Sequence, residues 1–215
     1  MRHRGKLFSL YSFYSLPILF LLLAGCANLE RNFPERNYYI LNIPTPNVSS
    51  SPGSKTVLEV RRFTISPNFT GREFVYRKGE NSYEADFYNQ FFRTPSLLIT
   101  EETHKWLSES GLFRYVVDST NSVRPDYILA GNINSLYGDY RTSGSHRAIV
   151  GIQFFLTDET SANSQIIFRN NYRREVVLRD NSPETLVEGW NEALGQILTA
   201  LEEDVNRLDL DNEND

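Results

Sequence analysis

Apolar positions along this chain follow two periods, and the switches between them mark out its elements. Asn37 to Ile43 alternates and predicts a first strand. Val57 to Ser66 predicts a second, whose apolar phase switches at Arg61-Arg62 from Leu58 and Val60 to Phe63 and Ile65. A regular strand cannot change phase, so a bulge is expected there. Pro67 to Gly71 turns the chain. Arg72 to Arg77 and Ser82 to Tyr88 then flank Lys78-Gly79-Glu80-Asn81 as a hairpin. Phe113 to Val117 adds a short strand, and three long ones follow. Tyr127 to Tyr140 assigns Tyr127, Leu129, Ile133 and Tyr137 to one side, with Gly131 between them. Arg147 to Asp158 sends Ala148, Val150, Ile152, Phe154 and Leu156 one way. Ile166 to Arg179 carries Arg169, Arg173, Arg174 and Arg179, as a solvated outer sheet face does.

The helical period occurs twice. Thr94-Pro95 opens a helix that closes at Gly111, with Ile99, Thr103, Trp106, Leu107 and Ser110 on one face. Pro183 to about Leu208 is longer. There Leu186, Trp190, Leu194, Ile197, Leu201, Val205 and Leu208 step by four and three, while Glu188, Asn191, Glu192, Gln196 and Glu203 lie opposite. Asn181 with Glu184 three residues on predicts its cap. Hairpins and two amphipathic helices together predict an α+β fold: one two-layer domain over residues 37–208, a mostly antiparallel sheet, both helices on one face. The densest aromatic run, Tyr83, Phe87, Tyr88, Phe91 and Phe92, is expected mostly in that core, with a contact surface as the lesser reading.

The start of the chain has a different grammar. Arg2, Arg4 and Lys6 precede an apolar run that is densest from Leu16 to Ala24, and the run ends at Cys26, the only cysteine. Charged start, short apolar core and small residues at the cut describe a secretory leader over residues 1–25. Ser12, Ser15 and Pro17 break the run, so it suits a membrane span poorly. Leu23-Ala24-Gly25-Cys26 reads as a lipobox: the sulfur accepts a lipid, and Ala24 and Gly25 are small enough for a peptidase to reach the bond. Cys26 is the expected lipid attachment and membrane anchor. Residues 26–36 then form a polar tether, and residues 209–215 an acidic tail expected to be disordered. Ala27, where an aspartate would signal retention in the inner membrane, favours the outer membrane and its periplasmic face.

Charge and chemistry narrow the function. The leader takes three of the 22 basic residues, leaving 19 against 27 acidic, a balance of −8 over 190 residues. An acidic domain without a basic tract is no nucleic-acid binder. The histidines are scattered as His3, His104 and His146, and the sequence holds no GxSxG elbow, Cys/His cluster or phosphate-cradling glycine loop. No catalytic residue, metal ligand or cofactor is therefore assigned. Recognition is expected from loops at one sheet end, in Thr45 to Lys55 (Thr45 and Asn47) and Arg141 to Ser145 (Arg141 and Ser143).

Several short motifs resemble one family. A lipobox is followed by Tyr38-Tyr39-Ile40-Leu41, then Phe92-Arg93-Thr94-Pro95 before the first helix and Gly111-Leu112-Phe113-Arg114-Tyr115-Val116-Val117 after it. Asp126-Tyr127-Ile128-Leu129 opens a long strand, and a long helix ends the domain. From Asn37 to Leu208 this resembles the ABC-type transport auxiliary lipoproteins. Phe91-Phe92 stands where the family often has tryptophan, and Arg61-Arg62 is more polar than usual. The resemblance implies a non-enzymatic accessory of an ABC transporter that works with MCE (mammalian cell entry) proteins in envelope lipid or solvent traffic. A structural lipoprotein of outer-membrane assembly partnering a β-barrel is the alternative, and a homo-oligomer is a further partner option.

Overall fold

Each period becomes regular structure, and the elements come in the expected order. The computed structural model describes residues 35–44, 55–208 and 210. Along the chain lie β1 (Asn37–Tyr39), β2 (Val57–Val60), β3 (Thr64–Ile65), a single 3-10 turn (Pro67–Phe69), β4 (Glu73–Arg77), β5 (Tyr83–Phe91) and α1 (Pro95–Glu109). They are followed by β6 (Tyr115–Val117), β7 (Tyr127–Asp139), β8 (Arg147–Asp158), β9 (Gln165–Val177) and α2 (Pro183–Asn206). The fold is α+β, with the nine strands in one mixed sheet.

β7 is the hub. One of its edges takes β8 and then β9, both antiparallel, in register from end to end apart from single shifts. The other edge takes three short strands in succession, all parallel to β7: β2 at Leu58↔Tyr127, β3 at Thr64↔Asn132, β4 at Tyr76↔Gly138. β6 extends β2, β5 folds back on β4, and β1 closes the far edge parallel to β5. The phase switch at Arg61-Arg62 is thus a break between β2 and β3. Arg61 N–H still donates to the Leu129 carbonyl at 3.0 Å. Phe63 N–H instead donates to Thr100 Oγ1 of α1 at 3.0 Å, so a side chain of α1 takes over a donor that the interruption frees. Phe63 lies over Gly131, where a Cβ would stand 2.7 Å from its ring.

The core lies between sheet and helices. Leu186, Trp190, Leu194, Ile197, Leu201 and Val205 of α2 are buried, and α2 packs on β8 and β9 while α1 packs on β2, β6 and α2. Gly189 permits the close approach, since a Cβ there would sit 2.7 Å from Cβ of Ala148. The cap of α2 differs from expectation: Ser182, not Asn181, accepts from Thr185 N–H at 3.2 Å. Serine fits because its short side chain already stands one residue before Pro183 at the first helical position.

Two register shifts overturn two further expectations. In β7, Ile133 pairs with Ile152 but Ser135 pairs with Gly151, so Asn134 is an extra residue. The bulge turns Tyr137 away from Tyr127, Leu129 and Ile133. It is buried on the helix-free face instead, stacked on Phe69 at 5.9 Å and met edge-on by Tyr83 at 5.7 Å. In the β4–β5 pair, Glu73 faces Gln90 while Phe74 faces Asp86, which leaves Phe87, Tyr88 and Asn89 as extra length on β5. Of the aromatic run only Phe91 joins the core; Tyr83, Phe87, Tyr88 and Phe92 are exposed.

Candidate functional site

Leu23, Ala24, Gly25 and Cys26 lie outside the described residues, as do Thr45 and Asn47. Arg141 and Ser143 occupy the β7–β8 turn. Of the first loop only Lys55 is among the described residues, and it stands at the opposite end of β7 from Arg141. Lys55 leads into β2, which runs parallel beside the start of β7, whereas Arg141 follows the end of β7. The 13 residues of β7 separate them by about 40 Å at ~3.3 Å per residue. The parallel pairing of β2 causes this, and nothing in the local pattern announced it.

The Arg141 end is tightly built. Arg141 Nη2 donates to Asp139 Oδ2 at 2.7 Å and Nη1 to Glu80 Oε1 at 2.6 Å, joining the β7–β8 turn to the β4–β5 turn. Those hydrogen bonds hold the guanidinium pKa above its ordinary value and, from Arg141, hold the Asp139 carboxyl below the usual carboxylate range. Behind them Tyr140 stacks on His146 with centroids 4.1 Å apart, and Lys78 Nζ lies 5.0 Å from the Tyr140 ring centre. Burial pushes the Tyr140 hydroxyl up to about 12, with the charge of Asp180 adding to it. Ser143 is exposed beside Gly144, whose φ of 73° is the left-handed turn that glycine permits. Arg141 thereby holds the two turns together in a charge-paired surface.

A cleft of about 500 Å³ opens between α1 and the β2–β6 side, lined by Arg62, Glu101, His104 and Asp118 among others. His104 is the only ring here that could act as a base, and its Nδ1 lies 3.4 Å from Ser108 Oγ. That hydroxyl, however, donates to the His104 carbonyl at 2.8 Å, the ordinary back-bond of a helical serine. Asp118 accepts from both N–H and Oγ1 of Thr120, and these bonds hold its pKa below the usual range. Among the described residues no three His, Cys, Asp or Glu side chains converge as metal ligands. Among the described residues lining the cleft, no hydroxyl is hydrogen-bonded to the His104 ring as a nucleophile to its base.

The family model described as ABC-type transport auxiliary lipoprotein component matches residues 39–202. The chain belongs to that family. This lipoprotein component shares its fold with a Xanthomonas campestris protein at TM-score 0.66 and 14% identity, over 77% of this chain and 92% of that one. It is similar also to an uncharacterized protein of known structure at TM-score 0.62 and 13% identity, over 80% and 99% of the two chains. At such identities the likeness shows the fold alone. No curated protein matches the auxiliary lipoprotein's chain.

The exposed aromatics of this lipoprotein component reverse the expectation that most of the run is core, and the sequence holds a signal for it. Phe87-Tyr88 and Phe91-Phe92 are adjacent pairs, and neighbours on a strand point to opposite faces. One member of each pair was bound to leave the core.

Proposed function

We propose that the protein is an outer-membrane-anchored periplasmic lipoprotein that serves, without catalysis, as an accessory of an ABC transport system working with an MCE-type protein in envelope lipid traffic. The observation that carries this reading is the union, in one chain, of a leader ending Leu23-Ala24-Gly25-Cys26 with a domain of the transport auxiliary family over residues 39–202. Ala27 after the acylated cysteine supports outer-membrane sorting. The anchor then keeps the domain close to the inner leaflet. Arg36 lies ten positions beyond Cys26, a reach of at most ~36 Å. A partner from the inner membrane must come to it, and docking on the rigid fold is the function that asks least of the chemistry available.

In-cell photocross-linking tests this, with the reactive residue placed at Ser143, at Asn47, or at Gln196 on the exposed face of α2. A compact partner is expected to meet one sheet end, so an MCE-type protein should be captured from Ser143 or from Asn47 but not from Gln196. Capture of a β-barrel from those loops, with no MCE-type protein from either, would overturn the reading in favour of outer-membrane assembly.

A further inference from the structure

The β1–β5 edge carries a cluster on its helix-free side that neither the core nor the Arg141 end uses. Tyr39 packs inward on Phe74 and donates its hydroxyl to Glu184 of α2 at 2.7 Å. Arg36, Tyr38 and Ile40 alternate with it and turn the other way. Tyr38 is 48% exposed, Ile40 57%, Phe87 57% and Phe92 59%. Tyr38 meets Phe92 edge-on at 6.2 Å, and Phe87 meets Tyr88 at 5.3 Å. The Arg36 guanidinium lies 4.0 Å above the Phe87 ring centre, and that of Arg72 lies 5.9 Å from the Tyr38 centre.

These rings are firmly held. Asp86 accepts from Tyr88 N–H at 2.8 Å, Asn89 N–H at 3.1 Å, Asn89 Nδ2 at 2.8 Å and the Tyr76 hydroxyl at 3.0 Å, locking the bulge that presents Phe87 and Tyr88. Phe92 N–H donates to the Tyr39 carbonyl at 2.7 Å. Large apolar side chains kept in water on a fixed backbone mark a contact surface.

We propose that this edge lies against the phospholipid head groups of the membrane that holds the anchor, with Tyr38, Ile40, Phe87 and Phe92 entering the interface and Arg36 and Arg72 meeting phosphates. The proposal rests on the lipid-anchor reading above. Chain length argues for this occupant: the cluster starts at Arg36, only ten positions beyond Cys26. A short tether holds its cargo at an effective concentration of about millimolar, so a weak surface affinity suffices. The chemistry fits as well, because aromatic rings settle at head-group depth and guanidinium groups bind phosphate oxygens in pairs. Both arginines lie over rings, and Arg72 Nη1 also donates to the Phe92 carbonyl at 3.5 Å, which fixes its guanidinium at this edge.

The acylated mature protein holds no free thiol once Cys26 is modified, so one added cysteine takes a spin label uniquely. The label goes at position 92 (Phe92→Cys) or at position 196 (Gln196→Cys), in vesicles of phosphatidylethanolamine with phosphatidylglycerol. Collisions with oxygen, which concentrates in lipid, are compared with collisions with a water-soluble nickel complex. The oxygen-to-nickel ratio is expected to rise several-fold at position 92 on vesicle binding and to stay unchanged at position 196. A lipid-free arm, Cys26→Ser mature chain at high vesicle concentration, separates the two readings. If the anchor reading alone fails, the position 92 shift survives in that arm and is reduced by Arg36→Ser with Phe87→Ser. A water-like label at position 92 on vesicles that hold the acylated protein would overturn the proposal while leaving the anchor intact. So would shielding at position 92 that grows with protein concentration without vesicles, which would assign the edge to a second copy of this chain.

Discussion

Truncating Trp190 to alanine tests the packing of α2 against the sheet most directly. The indole is 1% exposed, lies edge-on to Phe74 at 4.9 Å and tilted over Phe91 at 5.2 Å. Its Nε1–H donates to the Tyr137 carbonyl at 3.3 Å. Removing a buried aromatic costs about 3–5 kcal/mol through lost transfer energy and the cavity left behind. That range already contains the two ring contacts, each about 0.5–1.5 kcal/mol beyond area. The hydrogen bond is long, so its loss adds at most about 1 kcal/mol. We therefore expect about 4 kcal/mol for Trp190→Ala.

In urea, a domain of this size has a slope of about 2–3 kcal/mol per molar, so the midpoint should fall by roughly 1.3–2 M. Far-ultraviolet dichroism is the right signal, because it does not depend on the indole being removed. Glu192→Ala, on the exposed face of the same helix, should move stability by no more than about 0.5 kcal/mol. Equal and small shifts from both variants would refute the assignment of this face to the core and make the stripe a partner surface.

Two further outcomes are expected. Cys26→Ser should remove the protein from the outer-membrane fraction or stall its leader processing; a variant that fractionates as wild type would remove the lipoprotein reading. Asp86→Ala should cost about 1–2 kcal/mol near neutral pH through its lost hydrogen bonds, discounted because the carboxylate is partly solvated. Burial alone would raise the Asp86 pKa, but hydrogen bonds from Asn89, Tyr88 and Tyr76 outweigh it and hold the carboxyl below the usual range. The folded value being the lower one, this stabilisation is complete above the unfolded value of about 3.9 and is lost as pH falls through the folded value. Wild-type and Asp86→Ala melting curves should therefore converge on acidification, and a gap that widens instead would refute the assignment.

Element type and order were legible because burial on one side imposes a period. The stripe from Leu186 to Val205 and the alternating residues from Ala148 to Leu156 are buried as their spacing predicts, although Ile149 on the other face of β8 is buried too. An irregularity at Arg61-Arg62 was legible for the same reason, since a change of phase is itself a periodic signal, but it is a break between β2 and β3 and not the bulge expected within one strand. Strand pairing was less accessible. That β2, β3 and β4 all run parallel along one edge of β7 depends on contacts far apart in sequence. Without that knowledge Lys55 and Arg141 read as residues of one sheet end. Of the candidate site, Arg141 and Ser143 were correctly placed on an exposed turn, but the partners that fix Arg141 include Glu80 from another hairpin, which no local pattern supplies.

Both bulges work in the same direction, and together they explain what the helix-free face presents. A strand of strict alternation would have kept Tyr137 with Ile133, and Phe87 with Phe91, on the helix side. One extra residue at Asn134 and three at Phe87 to Asn89 reverse that assignment. Tyr137 then supports the helix-free face from beneath, held by Phe69 and by Arg173, which donates to its hydroxyl at 3.2 Å. Phe87 and Tyr88 remain uncovered on the same edge where the chain enters the fold. A bulge costs ladder hydrogen bonds, yet at the second one Asp86 restores them with its own carboxylate. A sequence that places an acceptor there, beside aromatic pairs of both parities, specifies the exposure of those rings instead of merely tolerating it.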